Sequence, residues 1–263
     1  MTRRSHKIYT ALILLFLYIP IFILIFYSFN DGKTTVFKGF TLKWYVELFK
    51  DTVIMESLLN SFIVAITSAI SATILGTMAA IGIFSMKKKT GDMVLQVSNL
   101  PIINPEIVTG VSLMLMFVFF SGLLGFELGM GTVILAHISF SVPYVVLNVL
   151  PKLRQMNRNI YEAALDLGCS PAVAFRKVVI PEIMPGVVSG FLMAFTFSLD
   201  DFIITYFTRG SKFQTLPIEI YTMLRRRLSP KINALSTLMF LIVLIALILV
   251  NLKDYRQAKR GAK

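Results

Sequence analysis

Cysteine is almost absent from this chain, and charged residues are scarce. Cys169 is the single cysteine in 263 residues, which excludes an intramolecular disulfide and a metal cluster held by cysteines. The pattern G-x-x-x-x-G-K-[ST] does not occur, so the chain has no phosphate loop for nucleotide chemistry. Only 15% of the residues are charged, against about 25% in ordinary globular domains, which argues against a soluble protein.

Apolar sequence, by contrast, is abundant. Hydrophobic residues make up 56% of the chain, and the mean hydropathy is +0.76. A helix needs roughly 20 residues to cross a hydrocarbon core of about 30 Å, and six apolar runs are long enough. These runs cover residues 8–28, 58–84, 93–121, 129–150, 185–208 and 232–252. We therefore predict an all-α membrane protein with six transmembrane helices, the first of them an uncleaved span.

The spans divide the chain into three parts. Residues 1–57 hold the first span and an amphipathic outer loop, residues 58–252 hold a core of five helices, and residues 253–263 form a basic tail. Sixteen Lys and Arg residues fall on the side of the two termini and ten on the other side, which predicts that both termini are cytoplasmic. The net charge of +12 suits anionic lipid headgroups, and no basic–aromatic module for nucleic acid is present.

The run Arg225-Arg226-Arg227 is an exception to this charge bias, since it falls on the outer side. It is either a solvated turn before the last span or a contact for the acidic surface of an extracellular delivery protein.

The loop between spans four and five, residues 151–184, predicts a first short helix. Asn159 followed by Glu162 fits an N-cap with an acidic residue three positions later. Gly168 fits the left-handed residue that ends such a helix.

A second short helix follows in the same loop. Ser170 and Pro171 open it, with proline in its first turn. Pro181 and Pro185 are predicted to stop it and to start span five. Two short helices on the water side of a membrane protein form a docking element for a soluble partner.

Three acidic residues, Glu106, Asp200 and Asp201, lie within the predicted spans, whereas Lys and Arg are missing from them. A carboxylate at the centre of a spanning helix costs about 2.5–3.5 kcal/mol on insertion scales. Adjacent carboxylates also repel, so the aspartate pair tends to share a proton or to recruit a cation. The cation is a proton, a metal ion, a group from a partner subunit or a transported ligand, and the pattern favours a cationic cargo.

Helical geometry places Asp200 and Asp201 on one broad face of a span-five helix over 185–208, roughly 23 Å from its cytoplasmic end. They line a substrate path, or they form an interfacial acidic pair or a contact with a partner permease. Glu106 lines the same path, or it is the dipole-neutralising first-turn residue of a helix that begins at Pro105.

Three more residues are candidates for function. Tyr18 in span one and Trp44 in the outer loop offer aromatic faces for cation–π contact, or they are interfacial anchors. His137 in span four is expected to be packed and hydrogen-bonded, with a proton relay as its alternative role.

The loop carries a recognisable pattern. Glu162-Ala163-Ala164, then Gly168, then Pro181 resembles the EAA loop of permease subunits of ABC importers. That resemblance implies that the helix pair is a coupling element seated in a groove of a separate ATPase subunit. The implied coupling residues are Glu162, Ala163, Ala164, Gly168 and Pro181.

Over nearly its whole length the chain resembles the second, or C, permease subunit of the bacterial spermidine/putrescine ABC importers. The residues that carry this likeness are Leu17–Pro20, Gly39–Thr41, Lys43–Tyr45, Pro105–Val108, His137–Ile138, Glu162–Gly168, Phe197–Asp201 and Asn233–Leu235. The family's functional positions carry over to Tyr18, Trp44, Glu106, Glu162, Ser198, Asp200 and Asp201. Glu106 departs from the family's Asp, which keeps the charge and lengthens the reach.

The resemblance implies a type I ABC importer permease of the bacterial cytoplasmic membrane, working by alternating access. Its partners are a homologous second permease, two copies of an ATPase and an extracytoplasmic polyamine-binding protein. The chain itself is then not an enzyme and holds no cofactor, since ATP and Mg²⁺ bind to the ATPase. Two alternatives stay open: an ABC importer permease for another cationic solute, and a proton-coupled secondary transporter.

Overall fold

The protein is helical throughout the part described by a computed structural model, which covers residues 3–32, 36–226, 230–241 and 244. One isolated bridge, between Asn30 and Phe40, is the only β pairing found there. The helices are α1 (Arg3–Ser28), α2 (Lys43–Lys50), α3 (Thr52–Ser85), α4 (Lys88–Ser98), α5 (Leu100–Ile103), α6 (Glu106–Leu124), α7 (Met130–Gln155), α8 (Arg158–Asp166), α9 (Pro171–Ala174), α10 (Ile180–Asp200), α11 (Ile203–Thr208) and α12 (Leu216–Arg226).

Five helical segments of the described chain are long and apolar enough to cross a membrane. They are Tyr9–Ser28, Thr52–Ser85, Glu106–Leu124, Met130–Gln155 and Pro171–Asp200. The first five predicted spans are thus confirmed in number, although the third and fifth have different bounds. Of the sixth, residues 230–241 and 244 are helical, and the rest lies outside the described residues.

The third span is shorter than predicted because two prolines interrupt its backbone. Pro101 stands in the first turn of α5, and Pro105 precedes the first residue of α6. Neither proline can donate a backbone hydrogen bond, and a helix start is the position where that donor is not needed. The membrane-length helix is therefore limited to Glu106–Leu124.

The fifth span corrects two predictions. Pro181 and Pro185 do not stop a helix, because Pro171–Asp200 is continuous, with a π-helical turn, Phe175–Val179, directly before α10 and Pro185 inside it. A wider turn of this kind accommodates a proline that lacks the N–H needed by the regular ladder. A single helix over 185–208 is also wrong, since α10 ends at Asp200 and Asp201 has extended backbone.

Residues 56–218 form one compact unit, whose core joins α3, α7 and α10. Small residues allow these helices to approach closely. Ala72 of α3 is fully buried, and a Cβ added at Gly76 would lie 2.6 Å from that of Val145 in α7. On α10, a Cβ at Gly190 would lie 3.1 Å from the same residue's Cα. Small residues four apart on α3, among them Ala72 and Gly76, therefore serve helix packing, as in membrane bundles generally.

The described residues within 1–55 and 219–263 form the second compact unit. Here α2 is amphipathic, with Trp44 and Leu48 buried one turn apart. Lys231 lies 3.3 Å from a carboxylate oxygen of Asp51 and 3.8 Å from one of Glu47, which ties α2 to the helical residues 230–241. The three-part division of the chain stays a prediction, and the tail 253–263 lies outside the described residues.

Candidate functional site

A cavity of about 480 Å³ lies within the unit 56–218, where α10 ends and α6 begins. This volume falls in the range of about 300–1,000 Å³ that is typical of small-ligand sites. The cavity is lined by Pro101, Glu106, Thr109, Phe140, Tyr144, Phe197, Asp200, Asp201, Phe202, Ile203 and Ile204.

The cavity brings together the three acidic residues that the sequence singled out. Asp200 is the last residue of α10 and Glu106 the first of α6, and both side chains are exposed at the cavity. A glutamate in the first turn is favoured by the helix dipole, so its carboxylate needs no cation from this chain. Asp200 and Glu106 therefore present negative charge to whatever occupies the space.

Asp201 differs from its neighbour, because its carboxylate is engaged inside the protein. It accepts hydrogen bonds from the backbone N–H of Ile204 and Thr205, at 3.3 and 2.7 Å, and from the Thr205 hydroxyl at 2.7 Å. His137 Nε2 lies 3.3 Å away, and the Asp201 side chain is only 7% exposed. Both aspartates line the cavity, but the helix break after Asp200 gives their carboxylates different surroundings.

Ser198 belongs to the same buried cluster. Its hydroxyl lies 2.6 Å from His137 Nδ1 and 2.9 Å from the Ser68 hydroxyl, and the residue is 4% exposed. Ser198 therefore faces α3 and α7, and its predicted contact with a substrate stays a prediction. The prediction that His137 is packed and hydrogen-bonded is confirmed, since the residue is fully buried with both ring nitrogens in contact with hydroxyls.

Aromatic walls of the cavity were missed by sequence reasoning. Phe140 and Tyr144 of α7 line it, and the Tyr144 and Phe197 ring centroids lie 4.6 Å apart. A signal existed, because His137, Phe140 and Tyr144 are spaced three and four residues apart on one face of a helix.

Thr109 was missed as well. It lines the cavity one turn after Glu106, and its buried hydroxyl has no hydrogen-bond partner among the described residues. A hydroxyl in that state costs free energy unless an occupant bonds to it, which marks Thr109 as a candidate ligand contact.

The two aromatic candidates lie in the other compact unit. Tyr18 is 44% exposed on α1. Trp44 is 5% exposed, and its indole N–H donates to the Asn30 carbonyl at 2.7 Å, so it anchors the loop that precedes α2. A role of either residue in binding cargo stays a prediction.

The first helix of the loop between α7 and α10, α8, is capped two residues earlier than predicted. The N-cap of α8 is Asn157, whose side chain accepts from the Asn159 N–H at 3.0 Å, so Asn159 as the cap is wrong. The side-chain oxygen of an Asn cap accepts from the N–H two residues later, a backbone donor that has no partner within the helix.

The end of α8 follows the prediction. Gly168 has φ +84°, its N–H donates to the Leu165 carbonyl at 2.9 Å, and the Cys169 N–H donates to the Ala164 carbonyl at 3.1 Å. This pair of bonds is the Schellman arrangement, in which glycine supplies the left-handed residue. Ser170 and Pro171 open α9, as predicted.

The surface of this loop is open. Glu162, Ala163, Gly168 and Pro181 are exposed and Ala164 is half-buried, while Leu167 is 86% exposed. On its inner side, Tyr161 and Glu162 line a second cavity of about 400 Å³ with the ends of α3 and α7. An exposed large apolar side chain beside a ridge of small residues is a surface suited to a protein partner.

Comparison with known proteins supplies the family. A profile of the family "Binding-protein-dependent transport system inner membrane component" matches residues 72–256. The chain belongs to this family of inner membrane transport components. Its match includes the acidic cavity's residues from α5 to α11 and the whole loop from α7 to α10.

Two relatives of this transport component carry specific names. The "Putrescine transport system permease protein PotI" of Escherichia coli (strain K12) is 37% identical over 94% of this chain and 92% of the relative. The "Spermidine/putrescine transport system permease protein PotC" of the same strain is 34% identical over 89% of this chain and 87% of the relative. The chain is thus homologous to polyamine permeases, as its sequence pattern predicted.

Solved structures show the fold of the transport component. A bacterial ABC transporter involved in the import of the acidic polysaccharide alginate aligns with a TM-score of 0.66 at 15% identity, over 95% of this chain and 98% of that chain. An amino acid ABC transporter, whose structure was solved with histidines, aligns at 0.59 and 17% identity over 82% and 99%. The predicted ABC importer permease fold is confirmed.

The outer arginine run is only partly described. Arg225 stacks its guanidinium 5.6 Å from the Tyr221 ring centroid, and Arg227 lies outside the described residues. The choice between a solvated turn and a docking contact therefore stays open as first stated.

Proposed function

We propose that this inner membrane component is one of two homologous permease subunits of an ATP-driven importer of polyamines. The observation that carries the proposal is the acidic and aromatic cavity at the α10–α11 junction. Glu106 and Asp200 face it with Phe140, Tyr144 and Phe197, while the described spans place no Lys or Arg there.

The cargo chemistry follows from this lining. A polyamine is a flexible aliphatic chain with separated ammonium groups, so it needs spaced carboxylates, aromatic faces and a hydroxyl or two. Each cation–π contact supplies about 0.5–2 kcal/mol when it is shielded from water. No group of three or more His, Cys, Asp and Glu side chains in the described part of the chain is arranged to hold a metal ion, which favours an organic cation. The names of the two relatives point to the same cargo.

The partners follow from the loop between α7 and α10. We infer that Glu162, Ala163, Ala164, Gly168 and Pro181 form the surface that seats in the ATPase. ATP and Mg²⁺ then bind in two ATPase copies, and this chain performs no hydrolysis. A polyamine-binding protein delivers cargo from outside, both termini face the cytoplasm, and a sister permease supplies the rest of the substrate site.

The mechanism is alternating access. Cargo released outside reaches the carboxylates of Asp200 and Glu106, which replace water around its ammonium groups. Closure of the ATPase pair on ATP displaces the α8 loop, and the attached α10 carries the displacement to the cavity. Hydrolysis and product release reset the outward-receiving state.

The test is uptake by the reconstituted complex in vesicles. We expect ATP-dependent putrescine uptake that spermidine inhibits and that an uncoupler leaves unchanged. Glu106→Gln combined with Asp200→Asn abolishes it, whereas Glu127→Gln, at an acid that is 81% exposed, leaves it unchanged. Uptake that survives ATP depletion and collapses with the uncoupler would establish the proton-coupled transporter instead. Inhibition only by a different cationic solute would reassign the cargo.

A further inference from the structure

The residues that hold the break between α10 and α11 form one buried polar cluster. His137, Ser68 and Thr205 are fully buried, Ser198 is 4% exposed, and the Asp201 side chain is 7% exposed. The cluster joins α3, α7, α10 and α11 at the point where the backbone of span five stops being helical.

Hydrogen counting shows which atoms donate on the Ser198 side. The Ser68 hydroxyl donates to the Val64 carbonyl at 2.6 Å, so its single hydrogen is used. The Ser198 hydroxyl therefore donates to Ser68, and His137 Nδ1 donates to Ser198 across 2.6 Å. The Nδ1 side of the His137 ring is thus hydrogen-bonded to the last turn of α10.

The Nε2 side of the ring contacts residues that follow the helix break. His137 Nε2 lies 2.9 Å from the Thr205 hydroxyl and 3.3 Å from a carboxylate oxygen of Asp201. The same Asp201 oxygen accepts from the Thr205 hydroxyl and backbone N–H, both at 2.7 Å. Because this uses the one hydrogen of the Thr205 hydroxyl, the contacts of Nε2 with Thr205 and Asp201 require a hydrogen on Nε2 as well as on Nδ1. A single imidazole therefore spans the two sides of the helix break.

We propose that His137 is the positioning residue of the acidic cavity: by bridging Ser198, Thr205 and Asp201 it holds Asp201 inward and thereby directs Asp200 into the cavity. Asp201 directly follows Asp200 at the end of α10, so holding Asp201 in place fixes the backbone from which the Asp200 side chain projects. The inference rests on the proposed function only in treating Asp200 as the acid that meets the cargo.

Two substitutions test the Nδ1 contact and the Nε2 contacts of His137 separately. In His137→Asn the amide occupies the position of Nδ1, so it keeps the contact with Ser198 and loses the contacts beyond the break. In His137→Gln the longer side chain brings its amide to the position of Nε2, which restores the contacts with Thr205 and Asp201. Positioning of Asp200 predicts a defect in the Asn variant and rescue in the Gln variant.

The first measurement reports the direction of residue 200 without any transport. In the full complex, Cys169→Ser removes the chain's own thiol and Asp200→Cys introduces one, which a cationic, membrane-impermeant thiol reagent labels through the cavity. We expect His137→Asn to slow labelling by about fivefold or more, the equivalent of one lost hydrogen bond, and His137→Gln to keep it within about twofold.

A thiol at Glu106→Cys is the matched control, because Glu106 belongs to α6 and not to the break. Its labelling should stay within about twofold when His137→Asn is added, because Glu106 takes no part in the hydrogen bonds of the cluster and residues without shared partners are nearly independent. An equal slowing at both thiols would overturn the proposal, since His137 would then support the whole cavity. An unchanged rate at Asp200→Cys would overturn it as well.

The second measurement is uptake kinetics of the otherwise native complex. His137→Asn should raise the apparent KM by about tenfold with kcat nearly unchanged, and His137→Gln should restore the KM. If the Asn variant does not assemble, Thr205→Val removes the hydroxyl that Nε2 and Asp201 share, and it must slow labelling at Asp200→Cys in the same way; an unchanged rate there rejects the inference.

A failure of polyamine uptake in the native complex would overturn the proposed function alone, because the labelling result does not depend on cargo.

Discussion

Close packing of α3 on α7 makes a pair of glycine substitutions an unusually direct test of the core. At Gly76, an added Cβ would lie 2.6 Å from Val145 Cβ, 2.8 Å from Val145 Cγ1 and 3.1 Å from the Val142 carbonyl oxygen. At Gly82, two turns further along the same helix, an added Cβ meets nothing within 4 Å. The same Gly→Ala change is therefore crowded at Gly76 and unobstructed at Gly82.

The expected magnitudes follow from these distances. Carbon atoms in favourable contact are about 3.5–4.0 Å apart, so Gly76→Ala forces the helices apart by roughly 1 Å. Overpacking of this kind costs about 1–3 kcal/mol. Gly82→Ala removes a flexible residue from a helix interior and gains about 0.5–1 kcal/mol. Because both variants gain the same helix propensity, they should differ by the overpacking cost alone, roughly 1–3 kcal/mol in the free energy of unfolding.

The assay heats the purified complex in detergent and measures the fraction that stays monodisperse on size exclusion. Gly76→Ala should lower the midpoint temperature, and Gly82→Ala should raise it or leave it unchanged. Adding Val145→Ala to the Gly76→Ala chain removes the Cγ1 contact and keeps the Cβ contact, so it should restore only part of the loss. Equal midpoints for the two glycine variants would refute the close approach of α3 and α7.

Three further predictions concern the cavity and the loop. Asp200→Asn should raise the apparent KM for putrescine by about tenfold or more, because a charge-assisted hydrogen bond contributes about 1.5–3 kcal/mol, whereas Glu127→Gln should leave the KM unchanged in the same uptake assay. Glu162→Lys should uncouple ATP hydrolysis from uptake, or prevent ATPase assembly, as measured by co-purification and phosphate release; normal coupling would reduce Glu162 to a surface residue of α8. Asn157→Ala should destabilise α8 by about 1 kcal/mol and speed its amide hydrogen exchange, while Asn159→Ala should not; the reverse order would restore the cap to Asn159.

Much of the fold could be predicted because lipid imposes simple rules on sequence. A span needs about 20 apolar residues. A proline interrupts the helical hydrogen bonds where the backbone cannot widen to accommodate its ring. These rules found the long helices, and they account for the break between Pro101 and Pro105. They failed at Pro181, because the π-helical turn that accommodates it depends on packing, with Val179 and Ile183 buried in the core.

The candidate site could be predicted only in part, for a related reason. Rarity of charge in apolar runs was enough to single out Glu106, Asp200 and Asp201. Helical periodicity could not distinguish Asp200 from Asp201, since the end of α10 depends on partners elsewhere in the fold. His137, one of those partners, lies in α7, and no local pattern connects it to the aspartate pair.

The uninterrupted helix from Pro171 to Asp200 has a mechanical consequence. Thirty residues at 1.5 Å each make a lever arm of about 45 Å, with the exposed loop at its foot and the cavity carboxylate at its tip. Pivoting the foot by about 10° would sweep the tip through roughly 8 Å, more than the length of an ammonium–carboxylate contact. The π-helical turn Phe175–Val179 lies near the loop end of this helix. Its stiffness then determines how much of a displacement at the loop reaches Asp200.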